Sequence, residues 1–306
     1  MTQTTEHTID IHAPAGTVHG ILADVTAWPQ VFQPTVHVEY LERSGNEERI
    51  QIWAQANRET KTWVSRRVIS DRSITFRQEV SAPPVQSMGG EWIVEPLSSD
   101  TCRVRLLHDF TAAAGDLDWV ERAVNTNSVT ELAGLREIAE RAGRSELRLS
   151  FEDTIDIAGS AKDAYNFVNE GDRWSERLPH VASVTLREDT PGVQLLLMET
   201  RAADGSTHTT ESVRICRPSS GIYYKQLRLP ALLSMHVGYW RFEEDDHGQT
   251  QAAAGHAVEI REDMIGQILG PQAGVTEARD YLRKVLGGNS RATLGYAKDY
   301  AEQQRA

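Results

Sequence analysis

Trp63-Val64-Ser65-Arg66-Arg67 sits in a run that alternates in character as a strand does. In a strand, residues two apart share a face. Trp63, Ser65 and Arg67 therefore point the same way. If that face looks into a cavity, it supplies an aromatic wall, a hydroxyl and a fixed cation in one row. Thr210-Glu211-Ser212-Val213-Arg214 carries the same Ser-x-Arg pair in the second half of the chain. The surroundings of the two rows also match in spacing. Trp28 precedes Arg67 by 39 residues, and Trp174 precedes Arg214 by 40. Arg67 to Trp92 spans 25 residues, and Arg214 to Trp240 spans 26. Trp92 to His108 and Trp240 to His256 both span 16. Landmarks held in register to within one residue predict one domain written twice, with bounds at 1–143 and 147–306.

Each half reads as strand, two short helices, six strands and a long helix. In the first half, Thr5–Ile11 alternates, and Ala13-Pro14-Ala15 starts a helix because proline suits a first turn. Trp28-Pro29 opens a short second element. Six strand-like runs follow between Val36 and Thr111, separated by turn signals such as Ser44-Gly45-Asn46 and Ala82-Pro83-Pro84. The spacing of Val120, Val124, Leu132, Leu135 and Ile138 predicts a helix over 116–142, stopped by Gly143. The second half repeats this order from Leu147, after a short linker near Gly143–Glu146. It adds an insertion around Glu262–Gly274, and its final helix, Thr276–Gln304, is expected to break at Gly287-Gly288. A seven-stranded antiparallel sheet must cover its apolar face, and a long helix laid across it would do so. The fold class is thus α+β, a sheet gripping a helix around an internal pocket, twice.

Composition removes several classes of function. At 306 residues and 40% hydrophobic content, the chain can bury two ordinary cores. No window reaches the ~18 apolar residues of a membrane span, and Met1–Asp10 carries no secretory pattern. Two cysteines, Cys102 and Cys216, make no disulfide framework and fit a reducing cytoplasm. A net charge of -12 argues against nucleic acid, which needs a basic footprint. Arg141 with Arg144 is the one obvious basic cluster, and it reads as a helix C-terminus favouring cations. No histidine or carboxylate spacing suggests a metal site, and no glycine-rich phosphate loop or hydrolase elbow is present.

The order of elements resembles the helix-grip fold of the Bet v 1/START superfamily. Ala27-Trp28-Pro29-x-x-Phe32, Trp63-Val64-Ser65-x-Arg67-Val68, Trp92 and Asn125-Thr126 resemble the bacterial aromatase/cyclases of type II aromatic polyketide systems. Two copies in one chain resemble the di-domain members. The resemblance implies a cofactor-free enzyme acting on a poly-β-ketone tethered to an acyl carrier protein. It implies as partners the minimal polyketide synthase and, for reduced substrates, a ketoreductase. The implied chemistry is aldol closure of the first ring, carbon 7 to carbon 12, and loss of water to aromatise. It also implies that Arg67 and Ser65 lie deep in a pocket lined by Trp28, Trp63 and Trp92. A tyrosine that follows Trp-Pro in some single-domain relatives is replaced here by Pro34-Thr35, which removes a phenol from that position.

The residues carry the same chemistry when read directly. A guanidinium stays charged and presents five donors in a fork, so Arg67 and Arg214 suit an enolate or aldolate oxygen in a dry pocket. Ser65 and Ser212 can orient a carbonyl or a water. The competing reading is that both arginines bind carboxylates within their own domains. Dehydration needs a group that titrates near neutrality, and histidine serves best. His208 and His236 share strand faces with Ser212 and Trp240, and His180 follows Trp174 and Arg177 at the expected mouth. Trp28, Phe32, Trp92, Asn125, Trp174, Arg177, His180, Trp240 and Asn289 complete the candidate lining. Asn289 either mirrors Asn125 or caps a helix after the glycine pair. Ring closure in the first domain and dehydration in the second is the expected division. A tandem lipid or polyketide carrier without chemistry is the alternative.

Overall fold

The computed structural model describes residues 2–57, 59–141, 145–201, 205, 207–218 and 221–305. The chain separates into two compact units, Met1–Gly143 and Arg144–Ala306. In the first, β1 (Gln3–Ile11) leads through α1 (Ala15–Ala23) and α2 (Trp28–Val31) to β2 (Thr35–Ser44) and β3 (Glu47–Ala56). Then come β4 (Glu59–Ile69), β5 (Ser73–Val80), β6 (Val85–Pro96), β7 (Cys102–Ala112) and α3 (Leu117–Glu140). The second unit runs β8 (Arg148–Ile157), α4 (Ala161–Asn169), α5 (Trp174–Arg177), β9 (Val181–Thr190) and β10 (Val193–Arg201). It continues through β11 (Thr207–Arg217), β12 (Gly221–Arg228), β13 (Leu233–Glu244), β14 (Thr250–Ile260), α6 (Glu262–Leu269) and α7 (Val275–Arg305). The Gly143 stop, Arg144 and part of the Gly143–Glu146 linker lie outside the described residues.

Both sheets have seven strands, ordered β1-β7-β6-β5-β4-β3-β2 and β8-β14-β13-β12-β11-β10-β9. From β2 to β7 and from β9 to β14 successive strands pair antiparallel, and the first strand of each sheet pairs with its last. Alternation sorts the side chains. On β7, Cys102, Val104, Leu106 and Phe110 are buried, while Arg103 and Arg105 on the other face pair with Asp10 and Glu6. Helix α3 lays Val120, Val124, Leu132, Leu135 and Ala139 inward, near the helical period. The core of the first unit gathers Leu132, Leu135 and Ala139 with Val18, Leu22, Phe32, Ile50 and Trp92, while Val120 and Val124 pack with Phe110 in a smaller cluster. The second unit builds the same core from Val168, Leu196, Ile222, Trp240 and Leu294. Its insertion folds as α6, whose Ile265 packs with Val258, Ala278 and Leu282 into a separate apolar cluster.

The break expected at Gly287-Gly288 does not occur, since α7 runs unbroken from Val275 to Arg305. A Cβ on Gly287 would come within 2.0 Å of Arg283 Nη1 and 2.9 Å of Asp153 Oδ2. The glycine makes room for an ion cluster in which Arg283 and Arg291 both donate to Asp153 at 2.8 Å. The helix therefore gives up propensity at this point to let two guanidinium groups reach β8. With no break, the reading of Asn289 as an N-cap is removed.

Candidate active site

Arg214 lies on the inward face of β11 and is only 2% exposed. The last carbonyls of a helix have no intrahelical partner, and Arg214 Nη2 donates to one of them, Val168 O of α4, at 2.5 Å. Its guanidinium sits 5.0 Å from the Trp174 ring. Its Nε and Nη1 find no acceptor among the described residues. Burial pushes it below the usual arginine range, with only Cys216, Tyr165 and carboxylates such as Glu188 acting from a distance to oppose this. Arg214 lines a cavity with Trp174, Ser212, Tyr224, His236, His256 and Ser290.

Three of those side chains form a closed triangle. His236 Nε2 is 3.0 Å from His256 Nδ1, and Tyr224 Oη is 3.1 Å from His256 Nδ1 and 3.4 Å from His236 Nε2. The Ser290 hydroxyl donates to Leu286 O at 2.9 Å, so it accepts from His256 Nε2–H at 2.6 Å. That fixes the tautomer of His256 and leaves its Nδ1 lone pair facing Tyr224 and His236. Burial drives His256 down to about 4. Burial and the neighbouring His256 hold His236 well below its ordinary value. Burial raises Tyr224 above the usual phenol range. All three groups are neutral at pH 7.

The first domain holds the matching residues in a different state. Arg67 is 2% exposed on β4 and lines a cavity with Trp28, Phe32, Trp63, Ser65 and Trp92. It donates to Leu22 O and Ala23 O at the end of α1, at 3.0 and 2.8 Å. It also pairs with Glu48, which is 1% exposed, at 2.6 Å. Ser65 donates to Arg77 O at 3.2 Å. Ile74↔Trp92 on β5–β6 corresponds to Ile222↔Trp240 on β12–β13. By that register Phe76 stands where Tyr224 stands, and Met88, four residues before Trp92, stands where His236 stands. His108 corresponds to His256. Glu131 of α3 lines the same two adjoining cavities as His108, Trp63, Gln78 and Met88. Burial raises Glu131 to about 7 and lowers His108 to about 4.

The residues of the chain match two family models described as polyketide cyclase/dehydrase and lipid transport, over 2–140 and 157–279. The granaticin polyketide synthase bifunctional cyclase/dehydratase of Streptomyces virginiae is 46% identical over 95% of this chain and 97% of its own. The actinorhodin polyketide synthase bifunctional cyclase/dehydratase of Streptomyces coelicolor is 45% identical over 95% and 94%. The chain belongs to the polyketide cyclase/dehydrase family. Among solved structures, the di-domain ARO/CYC BexL from the BE-7585A biosynthetic pathway is 51% identical, with a TM-score of 0.89 over 98% of this chain and 99% of that one. The di-domain ARO/CYC StfQ from the steffimycin biosynthetic pathway is 35% identical, with a TM-score of 0.90 over 98% and 99%.

Most of the expected cyclase residues face these cavities. Trp28, Phe32, Trp63, Ser65, Arg67 and Trp92 line the first domain's cavity. Trp174, His180, His208, Ser212, Arg214, His236, Trp240 and Asn289 line the second's. Two do not. Arg177 is tied to Glu170 at 2.6 Å and lies over the Phe167 and Tyr300 rings, so it is a structural cation. Asn125 is half-buried on α3 and lies outside the cavity linings. Leu132, Leu135 and Ala139 have the spacing of Leu294, Ala297 and Ala301. Counted back from Leu132 and Leu294, the mirror of Asn289 is Asn127, and Glu131 mirrors Thr293. Sequence reading missed Tyr224, Ser290 and Glu131 as site residues. The signal for Glu131 was the residue immediately before Leu132 on the helix's apolar stripe.

Glu131 makes a pH prediction. Its folded value, about 7, lies above the unfolded carboxylate value. The folded state therefore keeps the proton where the unfolded state releases it, and stability falls as pH rises from about 4.5 to about 7. Glu131→Gln should match wild type near pH 4 and exceed it by roughly 2–3 kcal/mol at pH 8. Urea unfolding of the first domain's transition at the two pH values checks this. Equal stability at pH 8 would show that Glu131 is solvated.

Proposed function

We propose that this chain is a cofactor-free bifunctional cyclase/dehydratase of aromatic polyketide synthesis. Its substrate is a poly-β-ketone carried on an acyl carrier protein from the minimal polyketide synthase in the cytoplasm, with a ketoreductase upstream where the chain is reduced. The first domain, 1–143, closes the first ring from carbon 7 to carbon 12, and the second, 147–306, dehydrates it. The Tyr224–His236–His256 triangle beside the unpaired Arg214 donors carries this reading. A tandem carrier would need no such buried proton cluster.

In the first cavity, protonated Glu131 gives a proton to the acceptor carbonyl while neutral His108 takes one from the attacking carbon. A carbon–carbon bond forms, and the carbonyl becomes a hydroxyl. In the second, the imidazole pair takes the proton beside the ketone, and Arg214 N–H groups stabilise the resulting enolate oxygen. The carbon–oxygen bond then breaks, Tyr224 returns a proton to the leaving hydroxyl, and water departs. Tyr224 recovers its proton from His236 or His256 across contacts of 3.1–3.4 Å.

Reconstitution with a minimal polyketide synthase separates the steps. His256→Asn should accumulate ring-closed, hydrated product, with dehydration slowed about 10²–10⁴-fold. Glu131→Gln should return the spread of spontaneously cyclised products. If His256→Asn aromatises at the wild-type rate, the dehydratase assignment fails. If Glu131→Gln still closes the ring with full fidelity, the assignment of closure to the first domain fails.

A further inference from the structure

The two domains place one residue differently against the buried arginine. Glu48 on β3 lies opposite Arg67 in the ladder, and Gln194 on β10 lies opposite Arg214. Both partners are buried, at 1% and 3% exposure. Glu48 gives Arg67 a buried carboxylate at 2.6 Å that offsets its charge, with the exposed Arg43 on the other carboxylate oxygen at 3.2 Å. Gln194 gives Arg214 nothing. Its amide Nε2 donates to Glu188 Oε2 at 2.8 Å and to Asn169 O at 3.3 Å. That carboxylate acceptor requires the NH2 group there, which turns the amide oxygen away. Gln194 Oε1 and Arg214 Nε and Nη1 all lack partners among the described residues. Gln194 thus omits one carboxylate and tethers another, Glu188, at the surface. A buried unpaired charge destabilises the fold that holds it. A fold tolerates that where a ligand anion supplies the missing partner.

We propose that Gln194 is the specificity-determining residue of the second cavity: it keeps Arg214 uncompensated so that this cavity selects the enolate form of a β-dicarbonyl ligand, whereas the first, with Arg67 offset by Glu48, takes only the neutral form. The ligand class rests on the cyclase/dehydratase reading, while the charge preference rests on the Glu48–Gln194 difference alone. The two cavities then hold successive states of one substrate. The neutral polyketone meets a protonated carboxyl in the first, and the ionised ring meets a cation in the second.

The probe is 4-hydroxy-6-methyl-2-pyrone, a planar β-dicarbonyl acid that is anionic at pH 6, where Glu131 still holds its proton, with its neutral 4-methoxy ether as control. Calorimetry on the full chain should show one equivalent of anion bound to wild type, with the ether at least tenfold weaker at that site. Gln194→Glu should weaken the anion at least tenfold and leave the ether unchanged. Glu48→Gln should create a second equivalent of anion binding, since Arg67 then keeps only the carbonyls of Leu22 and Ala23 as acceptors and, like Arg214, has no buried carboxylate beside it. Circular dichroism identifies a variant that fails to fold, and the other variant and the wild-type comparison then decide. Absence of anion binding, equal binding of anion and ether, or an unmoved Gln194→Glu overturns the proposal. Because no turnover is read, loss of the enzyme reading and loss of the charge preference are separate outcomes.

Discussion

Replacing Arg214 with glutamine is expected to cut the yield of aromatised product by a factor of about 10²–10³ while leaving the second domain folded. The two halves of this expectation have one cause. Among the described residues, Arg214 spends a single donor, at Val168 O, and has no carboxylate partner to strand. Removing it discards a buried charge instead of exposing its opposite, so stability should hold or rise. The same unspent donors are those available to an enolate oxygen, and the enolate is charged only after the proton has left carbon. An interaction that strengthens as charge develops lowers the barrier and not merely the Michaelis constant. Product analysis and thermal unfolding on the same sample read both halves. Full product yield from Arg214→Gln would remove the arginine from the chemistry. A large loss of stability with proportionate loss of product would make it structural.

Arg67→Met should behave oppositely. It leaves Glu48, 1% exposed in the core of the first domain, with the exposed Arg43 at 3.2 Å as its remaining ion-pair partner, and leaves Leu22 O and Ala23 O without their donor. Breaking a buried pair from one side costs about 3–5 kcal/mol, whereas replacing both partners by apolar groups is often neutral. The double variant Arg67→Met/Glu48→Met should therefore recover most of what the single variant loses. Urea unfolding of the three chains gives the comparison. Equal stability of Arg67→Met and wild type would mean that Glu48 is protonated or reaches water.

Strand alternation was sufficient to put Trp63, Ser65 and Arg67 on one inward face, because period two needs no partner strand to be read. The doubling of the fold was legible for a similar reason, since it lies in spacing along one chain. What separated Arg67 from Arg214 was not legible. Glu48 and Gln194 reach the arginines across a ladder, and their register depends on hairpin lengths and bulges that alternation does not give. Glu131 was hidden by its type, since a charged residue on an amphipathic helix reads as solvent-facing until the cavity beneath it is known. Tyr224 and Ser290 were hidden by distance, as the triangle and its anchor draw on β12, β13, β14 and α7. Gly287-Gly288 misled because glycine ordinarily stops a helix, and the ion cluster that explains it needs Asp153 from β8.

Pairing of each first strand with its last strand also sets a timetable for synthesis. A chain leaving the ribosome makes β1 before the other strands of its sheet but cannot seat it until β7 has emerged. The ion pair on that seam, Arg103 with Asp10, joins residues 93 positions apart. During that interval β1 and the growing edge of the sheet both present unpaired backbone, the condition under which strands find wrong partners. Each cavity is then among the last parts of its domain to exist, because its roof is the long final helix, α3 or α7, made after the closing strand. The first domain can finish as soon as α3 is out, while the strands of the second are still being translated. Any truncation upstream of Cys102 leaves an open sheet with no enclosed cavity.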